Sequence, residues 1–328
     1  MASMGEMTAL FPVKGPTFEF VRRFTDESVG YACAWMLWLN CVVVAAVEIL
    51  AVTEIFRFQV GTKYLTEILK FPEGTTFGWK STVKVAPPVW VIIFLLVELL
   101  LNLLPVKFFG RVEYVVGCSK IIFIVALIMI NMILHARQTH DQPFWTWNAP
   151  WDYKSTNWTV KPLDTTNPED PGVIFDGPLG TFTSLWTAIG TAVFSMSGWE
   201  IILLTAPENR DLMRNETTKL SSRKIALRVI LLYSLAIFTV GLNVPYDEPG
   251  FRAITISRVS GGQNSPFVLA AIRERVPFLP HFINGFFIFS ATTTGVNALY
   301  SASRLLHAIA SLSKACKWSC KYTPRVVF

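Results

Sequence analysis

The stretch AVFSMSGWEIILLTAPEN, residues 192 to 209, decides how the whole sequence is interpreted. It belongs to an apolar segment running from about Phe182 to Leu204, whose midpoint falls near residue 193. Close to that midpoint, small polar serines and a flexible glycine alternate with larger apolar residues. The five residues are Phe194, Ser195, Met196, Ser197 and Gly198. We predict a helix interrupted there, because glycine adopts torsions that other residues resist.

Irregular backbone at membrane depth is tolerated only where it lines a cavity or is buried in protein. Freed N–H groups at such a break would bind a carboxylate, and freed carbonyls would bind an amine or a cation. The alternative is that the serines and the glycine form a packing notch between helices.

Long uncharged runs place the chain in a lipid bilayer. Its 328 residues are 52% hydrophobic and 16% charged, with a mean hydropathy of +0.43, whereas soluble domains carry roughly 25% charged residues. A membrane-spanning helix needs about 20 mostly apolar residues. The fold class is therefore all-α, a multi-pass integral membrane protein. Its six predicted spans are Ser28 to Thr53, Val85 to Val106, Tyr114 to Leu134, Gly177 to Leu204, Val229 to Tyr246 and Val276 to Ser303.

The charge pattern supports a membrane and gives an orientation. The net charge of +6 comes from basic residues divided among the loops, so we expect no nucleic-acid partner. With a cytosolic amino terminus, the inner loop 205–224 has five basic residues and the outer loop 136–176 has three, as the positive-inside rule requires. The outer loop 56–84 also carries five and argues the other way. The sequon at Asn157 then lies outside, glycosylated or unused, and the one at Asn215 lies in the cytosol.

Other sequence features narrow the function. No secretory signal peptide pattern precedes the first span, so we expect insertion to rely on the spans. No histidine cluster, Ser-His-Asp arrangement or phosphate loop lies in or near the spans, so we expect neither an enzyme nor a cofactor. Cys316 and Cys320 lack the second pair that would make a zinc site convincing, so we expect no metal.

Lys120 is the only charged residue in its predicted span. It lies about seven residues inside, roughly 10 Å along the helix axis, which is deep for a snorkelling amine. We expect an amine that faces the protein interior, as a titratable coupling group or as a fixed substitute for a bound cation. The alternatives are snorkelling and a structural pair with Glu113. The residues on the same helical stripe are Gly117, Ile124, Leu127 and Asn131.

Two acidic residues also lie inside predicted spans. A charge at mid-membrane costs on the order of 2.5–3.5 kcal/mol even on the lenient insertion scale. Glu48 and Glu98 each lie nearer one end of their span, and we expect both to form structural pairs.

The last predicted span carries a polar stripe. Lipid offers hydroxyl groups no partner, so this face should meet a neighbouring helix or a water-filled path. Alternatively, the small residues Ser290, Ala291, Thr294 and Gly295 permit close helix packing, and both interpretations can hold together. The stripe, at spacings of three and four residues, consists of Ser290, Thr293, Asn297, Ser301 and Arg304.

Several motifs in order resemble the fungal amino acid permeases of the amino acid, polyamine and organocation superfamily. GEM at 5–7 with FPVKGPTFEFVRRF and the span after it resembles the junction of that family's second and third spans. VKFFGRVEYVVGCSKIIFI resembles the fifth span, and AVFSMSGWEIILLTAPEN the broken sixth. GLNVPYDEP, SPFVLAAI and LPHFINGFFIFSATTTGVNALYSASRLLHAIA resemble the end of span seven, the following loop and span eight. Together these motifs cover about residues 5–310.

The resemblance implies part of a five-plus-five inverted-repeat transporter and uptake of amino acids by proton symport at the plasma membrane. Phe194, Ser195, Met196, Ser197, Gly198 and Thr293 fall on substrate-contacting positions, and Lys120 and Ser290 on coupling positions. The implied partners are an amino acid, protons and the bilayer, and which amino acid is left open.

The resemblance also sets boundaries. It implies a permease domain at 1–310 and a divergent cytosolic tail at 311–328. The family's first span and its spans nine to twelve have no counterpart in this sequence. We therefore expect six spans holding half of a substrate pocket, with a non-transporting receptor or degenerate permease as the alternative.

Overall fold

The fold is known from a computed structural model that describes residues 6–8, 10, 16–62, 64–137, 158–160, 173–175, 177–195, 216–244 and 265–312. Helices dominate these parts of the chain. They are α1 (Pro16–Phe24), α2 (Glu27–Phe56), α3 (Lys80–Val83), α4 (Pro87–Asn102), α5 (Val106–Arg137), α6 (Gly177–Ser195), α7 (Glu216–Gly241), α8 (Pro266–Arg273) and α9 (Leu279–Leu312), with a π-helix at Tyr64–Ile68.

A short antiparallel sheet departs from the all-α prediction. Strand β1 (Trp158–Val160) pairs with β2 (Val173–Phe175) in the register Trp158↔Phe175 and Val160↔Val173. Both strands fall in the segment 136–176, which the sequence predicts to be an outer loop. Their residues are aromatic or β-branched, types that favour strands, but three residues are too few for alternation to reveal a strand.

Helices α1 and α2 form a tight corner. The carboxylate of Asp26 caps α2, because its Oδ1 accepts hydrogen bonds from the backbone N–H groups of Ser28 (2.8 Å) and Val29 (3.4 Å). Gly30, one turn later, packs directly on the backbone of Arg22 in α1. The corner therefore depends on a residue without a side chain.

The segment between α2 and α4 folds over one end of the helices. An isolated antiparallel bridge joins Gln59 to Gly78, and the Trp79 N–H donates to the Phe58 carbonyl at 2.8 Å. Tyr64, which belongs to this segment, is buried, and that burial raises the pKa of its hydroxyl to about 12.

Helix α9 lies at the centre of the described helices and packs against α2, α4 and α8. Side chains of α5 also contact it. Near its start it joins an apolar cluster that includes Phe58, Phe123 and Ile283. Near its end Leu305 and Ile309 pack with Phe18 and Ala34. Burying these two clusters fixes α9 among its neighbours.

Two described helices are long and apolar enough to cross a membrane, Glu27–Phe56 and Gly110–Arg137. The segments Pro87–Asn102 and Leu227–Gly241 are apolar but shorter. Large apolar side chains on these helices face outward, among them Leu100, Ile122 and Ile237, which are 64–69% exposed. So large an outward apolar surface is typical of contact with lipid.

Candidate functional site between the helices

Helices α5 and α9 run antiparallel past each other. Glu113, Lys120 and Phe123 follow one another along α5, while their partners on α9, Asn297, Thr294 and Phe286, follow in the reverse order. The rings of Phe123 and Phe286 stack with centroids 3.6 Å apart. The polar contacts therefore form one end of an interface whose other end is aromatic.

Lys120 points toward α9. Its Nζ donates a hydrogen bond of 3.2 Å to the Oγ1 of Thr294. The Thr294 hydroxyl in turn donates to the Ser290 carbonyl at 2.9 Å, so its lone pairs are left to accept from the amine. Leu127 and Asn131, on the predicted inner stripe, are buried. The prediction that this face of the helix looks inward is confirmed.

Glu113 pairs with an amide rather than with the lysine. Its Oε1 accepts a hydrogen bond of 2.6 Å from the Nδ2 of Asn297. Glu113 and Lys120 attract each other electrostatically, but within the described residues no salt bridge joins them. The alternative of a direct Lys120–Glu113 ion pair is therefore not what the structure shows.

The polar stripe of α9 is only partly turned toward α5. Asn297 makes the expected contact with a neighbouring helix, whereas the Thr293 hydroxyl donates to backbone carbonyls of its own helix, those of Phe289 (3.0 Å) and Ser290 (2.8 Å). The hydroxyl of Thr294, which was expected only to permit close helix packing, accepts the hydrogen bond from Lys120 instead. One position is a rotation of about 100° around a helix, enough to exchange these roles.

A second polar contact joins α4 to α9. Asn102 donates from Nδ2 to the carbonyls of Glu98 (3.0 Å) and Val296 (3.2 Å). Glu98 itself is 1% exposed, and its carboxylate oxygens have no hydrogen-bond partner in the part of the chain that the structure describes. The expected structural pairing of Glu98 is therefore wrong within those residues.

Glu98 could not be found as a site residue from sequence periodicity. Its neighbour Gly295 is almost 200 positions away, and only the packing of α4 on α9 brings the two together. Glu48, the other acidic residue, lies on α2 and interacts electrostatically with Lys120.

The predicted helix break lies at the edge of what the structure describes. Phe194 and Ser195 are the last two described residues of α6 and are helical. Met196, Ser197 and Gly198 lie outside the described residues, as does the rest of the stretch to residue 215. The interruption, and its relation to Lys120, stay predictions.

The comparisons with known proteins decide the family. A family model described as amino acid permease matches residues 1–326. The chain belongs to the amino acid permease family. The resemblance stated from the motifs is confirmed, and the relatives are permeases rather than enzymes.

The relatives of this permease-family chain are fungal. It is 28% identical over 320 residues to a probable amino-acid permease of Schizosaccharomyces pombe, covering 97% of this chain and 56% of that one. It is 26% identical to a probable lysine/arginine permease of Candida albicans (97% and 48% covered) and 27% identical to a proline-specific permease of Saccharomyces cerevisiae (97% and 46%). The chain thus spans about half the length of these curated relatives. No solved structure matches it.

Proposed function

We propose that this permease-family chain acts in the transport of amino acids across the plasma membrane, by symport with protons. The observation that carries the proposal is the amine of Lys120, half-buried in the α5–α9 interface and seated on the Thr294 hydroxyl. A fixed positive charge at this depth suits the role of a coupling group or of a substitute for a bound cation.

In this proposal the amino acid binds at Phe194, Ser195, Met196, Ser197, Gly198 and Thr293, and Ser290 assists Lys120. The back-bonded hydroxyl of Thr293 keeps its lone pairs for a ligand. The half-exposed Ser290 lies one turn from Thr294, to which its carbonyl is hydrogen-bonded. Zwitterion binding at a helix break would use the same backbone groups as other discontinuous membrane helices.

The proposed architecture has six spans, carried by α2, α4, α5, α6, α7 and α9, as part of an inverted repeat with a broken sixth-span helix. The proposed permease domain covers residues 1–310 and the cytosolic tail 311–328. Outward apolar surfaces on α2, α4, α5 and α7 support this arrangement.

Uptake by the purified chain in vesicles tests the function. Labelled lysine, arginine and proline, chosen because relatives carry those names, are offered with and without an inward proton gradient. We expect uptake that rises with the gradient and is suppressed by a protonophore. Uptake equal to that of empty vesicles would instead support the non-transporting receptor or degenerate permease.

A variant tests the role of Lys120. Lys120→Ala should abolish gradient-driven uptake while insertion into the membrane stays normal, because the coupling charge is lost but the apolar surface of α5 is kept. Ser119→Ala is the matched control, since its hydroxyl donates only to the Val116 carbonyl within α5 (2.7 Å). Unchanged uptake by Lys120→Ala would return the lysine to a structural role.

A further inference from the structure

Glu98 is the one buried residue of α4, whose sixteen residues from Pro87 to Asn102 are otherwise half-buried or exposed. Its neighbours in sequence, Val97 and Leu99, are 38% and 43% exposed. In a helix that faces lipid, valines and leucines outside and a glutamate inside is the arrangement expected for an ionisable residue that the protein keeps away from hydrocarbon. Such a residue in a membrane helix points to a functional role.

The carboxyl group of Glu98 is enclosed by α9. It lies against Gly295, where an added Cβ atom would stand 2.7 Å from Glu98 Cδ and 2.9 Å from Oε2. A glycine is therefore what leaves room for this carboxyl group. Neither oxygen reaches a hydrogen-bond donor among the described residues, although the amide of Asn102 is close enough to bond the Glu98 backbone.

The charges around Glu98 do not neutralise it. On α2, Glu48 lies near enough to repel a negative charge on Glu98. Lys120 on α5 interacts with Glu48 and with Glu113, so its ammonium group is shared between two carboxyl groups other than that of Glu98. On α9 the nearest charged residue along the helix is Arg304, whose guanidinium lies 4.6 Å from the centroid of the Tyr300 ring.

Among the described residues, an ionised carboxylate in this position would have neither a hydrogen bond nor a cation to offset its loss of water. A neutral carboxylic acid avoids that cost. We infer that Glu98 is a proton-binding residue, which holds a proton while α4 is packed on Gly295 of α9 and releases it to water when the two helices move apart. The site is separate from Lys120, which lies on a different helix and bonds Thr294.

Proton binding and helix contact are then linked. The protonated form favours the packed helices and the ionised form favours a wetter, separated arrangement, so each equilibrium shifts the other by the same factor. A contribution of Glu98 to proton-driven uptake would rest on the proposed transport function. Protonation itself does not, and it is measured without any transport.

Infrared spectroscopy of the purified full chain in dodecyl maltoside micelles, whose detergent has no ester carbonyl group, tests the inference. A protonated carboxyl group has a C=O stretch above the amide band, which an ionised one lacks. At neutral pH we expect this band in the unaltered chain and its loss in Glu98→Gln, whose amide is isosteric with the neutral acid. Glu48→Gln is the matched control and should keep the Glu98 band. Absence of the band from the unaltered chain, or its persistence in Glu98→Gln, would overturn the inference.

A second variant covers the case in which Glu98→Gln does not insert. Gly295→Ala retains the acid and presses a methyl group against it, so the band of Glu98 should shift in frequency. A band with unchanged frequency in Gly295→Ala would show that it does not come from Glu98 and would reject the site.

Discussion

At the scale of the single residue, Gly30 holds the corner between α1 and α2. A Cβ atom at this position would lie 2.6–2.8 Å from Cβ, Cα and N of Arg22. Two of those three atoms are backbone, which cannot move aside as the end of a flexible side chain can. The close approach of the two helices therefore requires glycine.

We predict that Gly30→Ala destabilises the chain by about 1–3 kcal/mol, the usual cost of overpacking a buried contact. The measurement is unfolding by denaturant in detergent micelles. Gly285→Ala on α9 is the control, because nothing lies within 4 Å of its added Cβ. That change should be neutral or stabilising by up to about 1 kcal/mol, since alanine favours helix over glycine. Equal effects of the two substitutions would contradict the prediction.

Individual residues also show what the sequence could and could not predict. The inward face of α5 follows from the helical spacing of Lys120, Leu127 and Asn131. The choice of Thr294 over Thr293 as the lysine's acceptor depends on the rotation of α9, which periodicity defines only to within one residue. Glu98 was expected to form a pair because nothing local reveals that Gly295 will enclose it.

At the scale of the element, helices are joined by a few polar contacts set in apolar surfaces. Asn243, just after α7, donates from Nδ2 to the carbonyl (2.8 Å) and the Oδ1 (3.3 Å) of Asn131 on α5. Asn131 is buried and also donates to Leu127 O at 2.8 Å. In a membrane, lipid is as apolar as a neighbouring helix, so hydrophobic burial alone does little to hold two helices together. Hydrogen bonds such as these contribute to the association.

A double-mutant cycle of Asn131→Leu and Asn243→Leu measures the side-chain part of this contact, from the Asn243 amide to the Asn131 Oδ1, because the Asn131 carbonyl is still present in Asn131→Leu. We expect a coupling free energy of about 0.6–1.7 kcal/mol, the range found for hydrogen bonds between membrane helices. The cycle is read from unfolding in detergent micelles. Additive effects, with no coupling, would mean that the two amides act independently.

Helix α1 contains an acid-sensitive contact. Glu19 is buried and accepts hydrogen bonds from Arg22 (2.8 and 2.9 Å) and Arg23 (2.6 Å). The hydrogen bond from Arg22 is the main cause that lowers the pKa of Glu19, with burial acting in the opposite direction. A lowered folded-state pKa means stabilisation that is complete above the unfolded value of about 4.3 and is lost as the pH falls through the folded value.

We therefore expect the melting temperature to fall on acidification from pH about 7 to below about 4, and to fall less in Glu19→Gln. Glu27→Gln is the control. The Glu27 side chain is 84% exposed and lies 3.7 Å from Arg22, so its loss should leave the acid response unchanged. An identical acid response of Glu19→Gln and the unaltered chain would remove Glu19 as its source.

At the scale of the whole molecule, the family and the helical character of the chain could be predicted from the sequence. The motifs along residues 5–310 specify the family because their order and spacing are jointly specific. Within the residues that the structure describes, two helices are long and apolar enough to cross a membrane by length and composition alone. The shorter helices, such as Pro87–Asn102 and Leu227–Gly241, depend on packing against neighbouring helices. The hydropathy of a single segment of sequence does not contain that information.

Orientation in the membrane gives a prediction for the whole chain. Expressed in a fungal cell, the chain should carry carbohydrate at Asn157, on the side away from the cytosol, and none at Asn215. We expect a gel-mobility shift that an endoglycosidase removes and that is lost in Asn157→Gln. Asn215→Gln serves as the control and should leave the shift in place. A shift that disappears in Asn215→Gln would reverse the assigned orientation.

The three successive threonines of α9 have a mechanical consequence. The hydroxyls of Thr292, Thr293 and Thr294 all donate to carbonyls of the preceding turn, and such back-bonding weakens and bends a helix. The stretch before them packs on Phe123, while the stretch after them packs on α2. We therefore expect α9 to bend more easily at the three threonines than on either side of them. A bend there would move the Thr294 hydroxyl away from the Lys120 amine that donates to it.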